Sequence, residues 1–265
     1  MSASYDKLMQ LEFPELRDTY TERDTMFYAL SLGVGADATN PEHLKLVYEK
    51  HLNALPTMCV VLAHPGFWPR DRETGLDVTK IVHGGQQLTM HKPLPVKGEV
   101  IGRSAIRDII DKGEGKGALI YFERTLVDAA NGDKLCTMEQ TLFCRGDGGI
   151  GGSNNSPPAV HPIPERPADF SSSHAVPSQC GLLYRLNGDM NPLHADPEFA
   201  AKAGFDRPIL QGLATYGIAG LALISELCKG DPQHLKSLQV RLTAPVYPGE
   251  TLLTEIWEEG GVAAL

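Results

Sequence analysis

The sequence predicts an α+β protein in two halves, each running from an extended start through short helices into antiparallel strands, with a long linker between them. Three observations carry this. Residues 99–111, 118–127 and 134–145 alternate apolar and polar side chains at the period of a strand with one buried face, and Asn131-Gly132 supplies a hairpin turn between the last two. Several short apolar segments open on a helix cap and close on glycine. Residues 146–177 are rich in Gly, Pro and Ser, lack periodicity and exceed the length of an ordinary loop.

Taken in order, residues 6–23 are mixed and interrupted by Pro14, which suits an arm leading into the fold. Asp24 is placed to cap a helix over 25–32, closed by Gly33 and Gly35. Asn40-Pro41-Glu42 opens another over 43–52. Residues 57–63 are continuously apolar, and a run that short is equally a strand or a buried helix. Strand character begins at 87–91. Beyond the linker, 213–228 reads as a long buried helix, and 238–246 and 250–258 return to strand. The halves also share a pattern. Tyr28-Ala29-Leu30-Ser31-Leu32-Gly33 and Tyr184-Arg185-Leu186-Asn187-Gly188 begin alike, and a proline-led apolar run follows each, at Pro56 and Pro208, as an internal duplication would leave.

With 42% hydrophobic residues, 265 residues can bury one large core or two smaller ones. A net charge of −9 argues against nucleic acid as a partner, and any polyanionic ligand needs local Lys or Arg. The five cysteines are odd in number, widely spaced and set among apolar neighbours, as buried free thiols in a reducing compartment would be. The opening residues are too charged for a secretory signal. The longest apolar run, 213–227, contains Thr215, Tyr216, Ser225 and Glu226, so no membrane contact is expected.

The chemistry concentrates in residues 184–216, around Asp189-Met190-Asn191-Pro192-Leu193-His194. Pro192 and Pro197 forbid one continuous helix. Two short turns are expected instead: Asn191 caps the first, and Asp196 caps the second over 197–203, which Gly204 closes. Asp189 precedes the first cap and His194 ends its turn, so the two side chains can converge for acid/base work on a water. Gly212 opens the long helix with its N–H uncovered and backed by the helix dipole, where an oxyanion could sit. Alone, Asp-x-Asn-Pro-x-His is an ordinary turn with a satisfied histidine. Joined to Arg207-Pro208-Ile209-Leu210-Gln211-Gly212, it reads as functional. A metal on Asp189, His194 and Asp196 is not expected, since no second His and no HxxxH or CxxC spacing accompanies them.

This stretch resembles the signature of the MaoC-like hydratases, specifically the (R)-specific 2-enoyl-CoA hydratases of the hydratase 2 type. Weaker likeness extends over His83-Gly84-Gly85-Gln86, Lys92-Pro93-Leu94-Pro95, Asp111-Lys112-Gly113, Gly149-Ile150-Gly151-Gly152 and Arg241-Leu242-Thr243-Ala244-Pro245-Val246. The resemblance implies a double hot dog: two antiparallel sheets, each wrapped around a helix. It implies a non-catalytic first half over 1–145 that accommodates the acyl chain, a linker over 146–177 and a catalytic half over 178–265. It also implies reversible hydration of trans-2-enoyl-CoA to (R)-3-hydroxyacyl-CoA. Asp189 and His194 would activate the water, Asn191 would orient them, and the Gly212 N–H would hold the thioester oxygen. His83, Gly84, Lys112, Met190, Pro192, Leu193, Arg241 and Leu242 would line the acyl-CoA site, although Gly84-Gly85 also suits a strand bulge and Lys112 an ordinary turn.

Asp37 to His43 echoes the signature with one residue too many between Asp and Asn, so His43 is read as a helix-surface residue. Relatives of this type continue into a longer final strand pair, whereas Glu259-Gly260-Gly261-Val262-Ala263-Ala264-Leu265 ends almost at once. The expectations are an enzyme without cofactor or metal, acting on acyl-CoA, as a homodimer in the cytoplasm. In a eukaryote the peroxisome would be the compartment, though no Ser-Lys-Leu-like tag is present. A hot-dog thioesterase and a non-catalytic acyl-CoA binding protein are the alternatives.

Overall fold

The structure is a computed structural model that describes residues 3–159 and 161–265, so residues 1, 2 and the linker residue 160 lie outside it. Helix α1 spans Tyr5–Met9 and strand β1 Leu16–Tyr20. Helices α2 (Glu22–Ser31), α3 (Pro41–Val47) and α4 (Trp68–Asp71) follow, then strands β2 (Ile81–Met90), β3 (Gly98–Asp111), β4 (Ala118–Asp128) and β5 (Lys134–Cys144). The second half contains β6 (Phe170–Ala175), α5 (Cys180–Tyr184), α6 (Pro197–Lys202), α7 (Gly212–Glu226), β7 (Ser237–Arg241), β8 (Thr251–Glu259) and β9 (Val262–Ala264).

Two antiparallel sheets result. The larger has the order β1-β3-β4-β5-β2-β7, and the smaller β6-β8-β9. The halves therefore share a sheet: β7 pairs with β2, setting Arg241 opposite Gly85 and Leu238 opposite Leu88. The main apolar core is common property too, drawing Leu32, Met58, Leu88 and Met138 from the first half and Tyr184, Tyr216, Ile218 and Ile256 from the second. Helix α7 runs through it. A Cβ on Gly217 would come within 2.8 Å of Leu32 Cδ1, and one on Gly220 within 2.8 Å of Thr57 Cγ2, so bare positions let α2 and the Pro56 segment press close. The Tyr216 hydroxyl donates to the Leu238 carbonyl at 2.9 Å, fixing α7 against β7.

Several local expectations change. Thr21, not Asp24, caps α2; Asp24 is the third residue of the helix, and its carboxylate accepts the Thr21 N–H at 2.8 Å in a capping box. Helix α3 stops at Val47, and His51 takes a positive φ of 64°. Residues 57–63 form neither strand nor long helix. Pro56–Val60 is a single 3-10 turn, far shorter than the fifteen-residue α7 of the second half. The linker is not irregular throughout, because β6 lies within it and pairs with β8. Its start is pinned as well, since the Asp111 carboxylate accepts the N–H groups of Gly113, Gly149 and Gly151 at 2.8–2.9 Å. Strand β7 ends at Arg241, short of the expected 246, and the final hairpin closes with the three residues of β9. All five cysteines are free, four of them buried.

Candidate active site

The broken turn forms as its prolines require. Pro192–His194 is a 3-10 turn whose cap, Asn191, accepts the Leu193 N–H on its side-chain oxygen at 3.1 Å. Asp196 then caps α6, accepting from Glu198 N at 2.8 Å and Phe199 N at 3.3 Å, and Gly204 ends that segment at φ +88°. Asp189 is oriented from below, its Oδ1 accepting the Asn191 N–H at 3.2 Å. Asn191 thus orients the acid through its backbone, while its side-chain oxygen serves the turn.

His194 is buried at 9% exposure, and its Nδ1 lies 2.8 Å from the Ile209 carbonyl oxygen. A carbonyl only accepts, so Nδ1 carries the proton and Nε2 presents a lone pair. Nε2 faces Asp189 Oδ2 at 3.9 Å, too far for a direct bond. The same Ile209 carbonyl ties the ring to the start of α7. Gly212 follows Ile209 by three residues, a chain span of at most roughly 10 Å. As the first residue of α7, Gly212 has no intrahelical acceptor for its N–H. A Cβ there would lie 2.5 Å from Leu242 Cδ1, so a bare residue is needed where Leu242 closes over the helix start.

The β2–β7 pairing explains how the remaining residues reach this place. Gly84 accepts the Leu242 N–H at 3.1 Å, and the register shift between His83 and Gly85 shows that the glycine pair does form a bulge. His83 donates from Nε2 to the Gly85 carbonyl at 2.9 Å and accepts at Nδ1 from the Gln140 amide at 3.4 Å, a fully satisfied neutral ring. Burial pushes its pKa down to about 4, against the opposing pulls of the Gly85 bond and the Asp189 charge. Arg241, Met190, Pro192 and Asn191 are exposed, and Leu193 is half-buried at the inner side of the turn. Lys112 stands farther out, exposed, its ammonium 4.8 Å from the centre of the Phe143 ring. His43, on α3, is half-buried, and the Gly35 N–H points at its Nδ1 over 3.4 Å.

Two supporting groups escaped the sequence reading. Ile209 acts through its carbonyl, which any residue type would carry. Gln211, 1% exposed, donates to the Gly181 carbonyl at 3.0 Å and so fixes α5 beside the start of α7. Its place between Leu210 and Gly212 was the one available signal. Among the described residues, no group of three or more His, Cys, Asp and Glu could hold a metal ion.

Residues 19–146 match the MFE-2 hydratase 2 N-terminal domain, and residues 160–264 match the MaoC like domain. The chain is 40% identical to the peroxisomal enoyl-CoA hydratase 2 of Arabidopsis thaliana, over 96% of this chain and 87% of that protein. Among solved structures, a MaoC-like dehydratase from Phytophthora capsici superposes with a TM-score of 0.85 at 31% identity, covering 97% of this chain and 90% of the other. A Mycobacterium tuberculosis protein with a double hotdog fold superposes with a TM-score of 0.55 at 15% identity, covering 97% and 86%, a likeness of fold alone.

Proposed function

The chain belongs to the MaoC-like hydratases of the hydratase 2 type, with the double hot-dog fold, and from that premise we propose that Asp189 and His194 add water to trans-2-enoyl-CoA, giving (R)-3-hydroxyacyl-CoA reversibly. The observation that carries the reading is the facing pair, Asp189 Oδ2 and His194 Nε2, 3.9 Å apart. A water about 2.8 Å from both atoms closes a triangle on that base. The pair takes a proton from this water as its oxygen bonds to C3. The electron pair of the C2=C3 bond moves onto the thioester oxygen as an enolate, and a proton from the same pair then reaches C2. The Gly212 N–H, at the positive end of α7, receives the enolate oxygen. Acid and base belong to the pair, not to one residue.

The step requires no cofactor or metal, because proton transfer and a backbone donor supply all of it. On the same reading, Met190, Pro192, Leu193, Gly84, Leu242 and His83 border the acyl thioester, while exposed Arg241 and Lys112 offer local positive charge to coenzyme A. The family resemblance supports a homodimer. It also supports a cytoplasmic enzyme, peroxisomal in a eukaryote, in keeping with the compartment in the Arabidopsis relative's name. Among the described residues no helix is long and apolar enough to cross a membrane.

The test is spectrophotometric. Mixed with crotonyl-CoA or a longer enoyl-CoA, the protein should remove the enoyl-thioester absorbance without releasing thiol, and chiral analysis should find the (R) product. Thiol release would instead mean hydrolysis. Tight binding without any absorbance change would mean a binding protein.

A further inference from the structure

Helix α7 begins without the cap that several other starts in this chain carry. Asn40 and Asn191 precede their helical turns with φ/ψ of −67°/113° and −58°/122°, and each sets its side-chain oxygen on the N–H two residues on, at 2.9 and 3.1 Å. Asp196 and Asp231 do the same before their own turns. Gln211 precedes α7 with −58°/134°, nearly the same backbone, yet its side chain accepts nothing from the helix. An open start on a helix of this length is locally unfavourable, because Asn or Asp at such a position stabilises a helix and glutamine lies outside the preferred set.

The Gln211 side chain is directed inward instead. It is 1% exposed, its Nε2 donates to the Gly181 carbonyl at 3.0 Å, and its Oε1 is buried with no partner among the described residues. A Cβ on Gly181 would meet the His194 carbonyl oxygen at 3.3 Å and Gln211 Oε1 at 3.6 Å, so the amide lies beside the backbone of the imidazole residue. At the helix start, the Gln211 carbonyl accepts the N–H groups of Ala214 and Thr215 at 3.0 and 3.2 Å, which leaves those of Gly212 and Leu213 without an intrahelical acceptor. Of residues 211–213, only Gly212 retains partial exposure.

We infer that Gln211 is a positioning residue whose side chain, held on Gly181, keeps the start of α7 bare, so that the Gly212 N–H and the positive end of the helix stay open to the thioester oxygen. The inference rests on the hydratase reading of Asp189 and His194. An oxygen folded over this start, as at Asn40 and Asn191, would accept the Leu213 N–H and set a negative atom beside the oxyanion that forms on the substrate. Helix stability and turnover therefore favour different residues at 211, as happens where a local rule is broken for function.

Three variants separate this from a purely structural role. Gln211→Ala, Gln211→Asn and Gln211→Asp all have side chains too short to keep the Gly181 bond, but only the last two can cap. In urea unfolding the capping variants should be more stable than Gln211→Ala. In the enoyl-absorbance assay they should nevertheless be slower, with kcat roughly 100-fold below that of Gln211→Ala, the size of a lost oxyanion donor, and KM little changed. A structural role alone would make kcat follow stability, with Gln211→Ala the slowest, and that order overturns the inference while leaving the hydratase reading standing. So does a kcat in both capping variants equal to that of Gln211→Ala. Capping variants no more stable than Gln211→Ala would show that no cap forms, and overturn it as well. Failure of the wild type on every enoyl-CoA sinks the hydratase reading and the inference together. Should Gln211→Asp not fold, Gln211→Asn against Gln211→Ala decides.

Discussion

One bond, from His194 Nδ1 to the Ile209 carbonyl, decides which imidazole nitrogen can take a proton, and Asn191 sets the Asp189 carboxylate opposite it. Asp189→Asn keeps the shape but removes the charge, and His194→Ala removes the lone pair. Each is expected to lower kcat by roughly 100-fold or more in the enoyl-absorbance assay, the range for a lost general acid or base. A fall of tenfold or less in both would count against these roles. His83 makes a separate prediction. Its pKa is about 4 in the folded protein and near 6.5 when unfolded, so between those values the unfolded chain binds the extra proton. Its neutral burial is without cost above pH 6.5, and stability falls as pH drops from 6.5 toward 4. The loss is on the order of 1–3 kcal/mol. In His83→Gln, urea unfolding across that window should show a shallower decline; an identical slope would mean that His83 is not the titrating group.

Helix α7 is the element on which both halves bear, and its bare positions are the measure of that. Gly217→Ala gains about 1 kcal/mol of helix propensity. It also drives a methyl group to within 2.9 Å of both Leu32 Cδ atoms, an overpacking that costs roughly 1–3 kcal/mol. Net destabilisation of about 1 kcal/mol is expected in denaturant unfolding, while Ser225→Ala, exposed on the same helix, should be neutral or slightly stabilising. This division also marks what the sequence could tell. Caps and breakers act within a few residues, so Asn191, Asp196, Gly204 and Gly212 announced their turns in advance. The long apolar run of α7 did the same. Thr21 and Asp24 were harder to separate, because in a capping box both side chains bond at one helix start. The strand at residues 170–175, Phe-Ser-Ser-Ser-His-Ala, has only one apolar side chain larger than alanine and a largely exposed surface, so no period betrayed it. Leu238 and Leu88 meet across 150 residues of sequence, and nothing local to either names the other.

At the scale of the whole molecule, the shared sheet and shared core predict one cooperative unfolding transition, not one per half. They also predict that an unbroken linker is dispensable once the protein has folded. Residues 156–159 are exposed and lie beyond the bond from Asn155 Nδ2 to Asp108 Oδ2 at 2.9 Å. Limited proteolysis there should give two bands on a denaturing gel, one peak on gel filtration and undiminished turnover. Separation of the fragments on the column would show that the halves are held by the linker alone. The pairing of β7 with β2 has one more consequence. A polypeptide that stops after β5 but before Ser237 leaves the edge of β2 from Gly85 to Thr89 without its β7 partner, at the margin of its largest sheet. Such a truncated product would be prone to stacking edge to edge with its own copies, and inclusion bodies are its foreseeable fate.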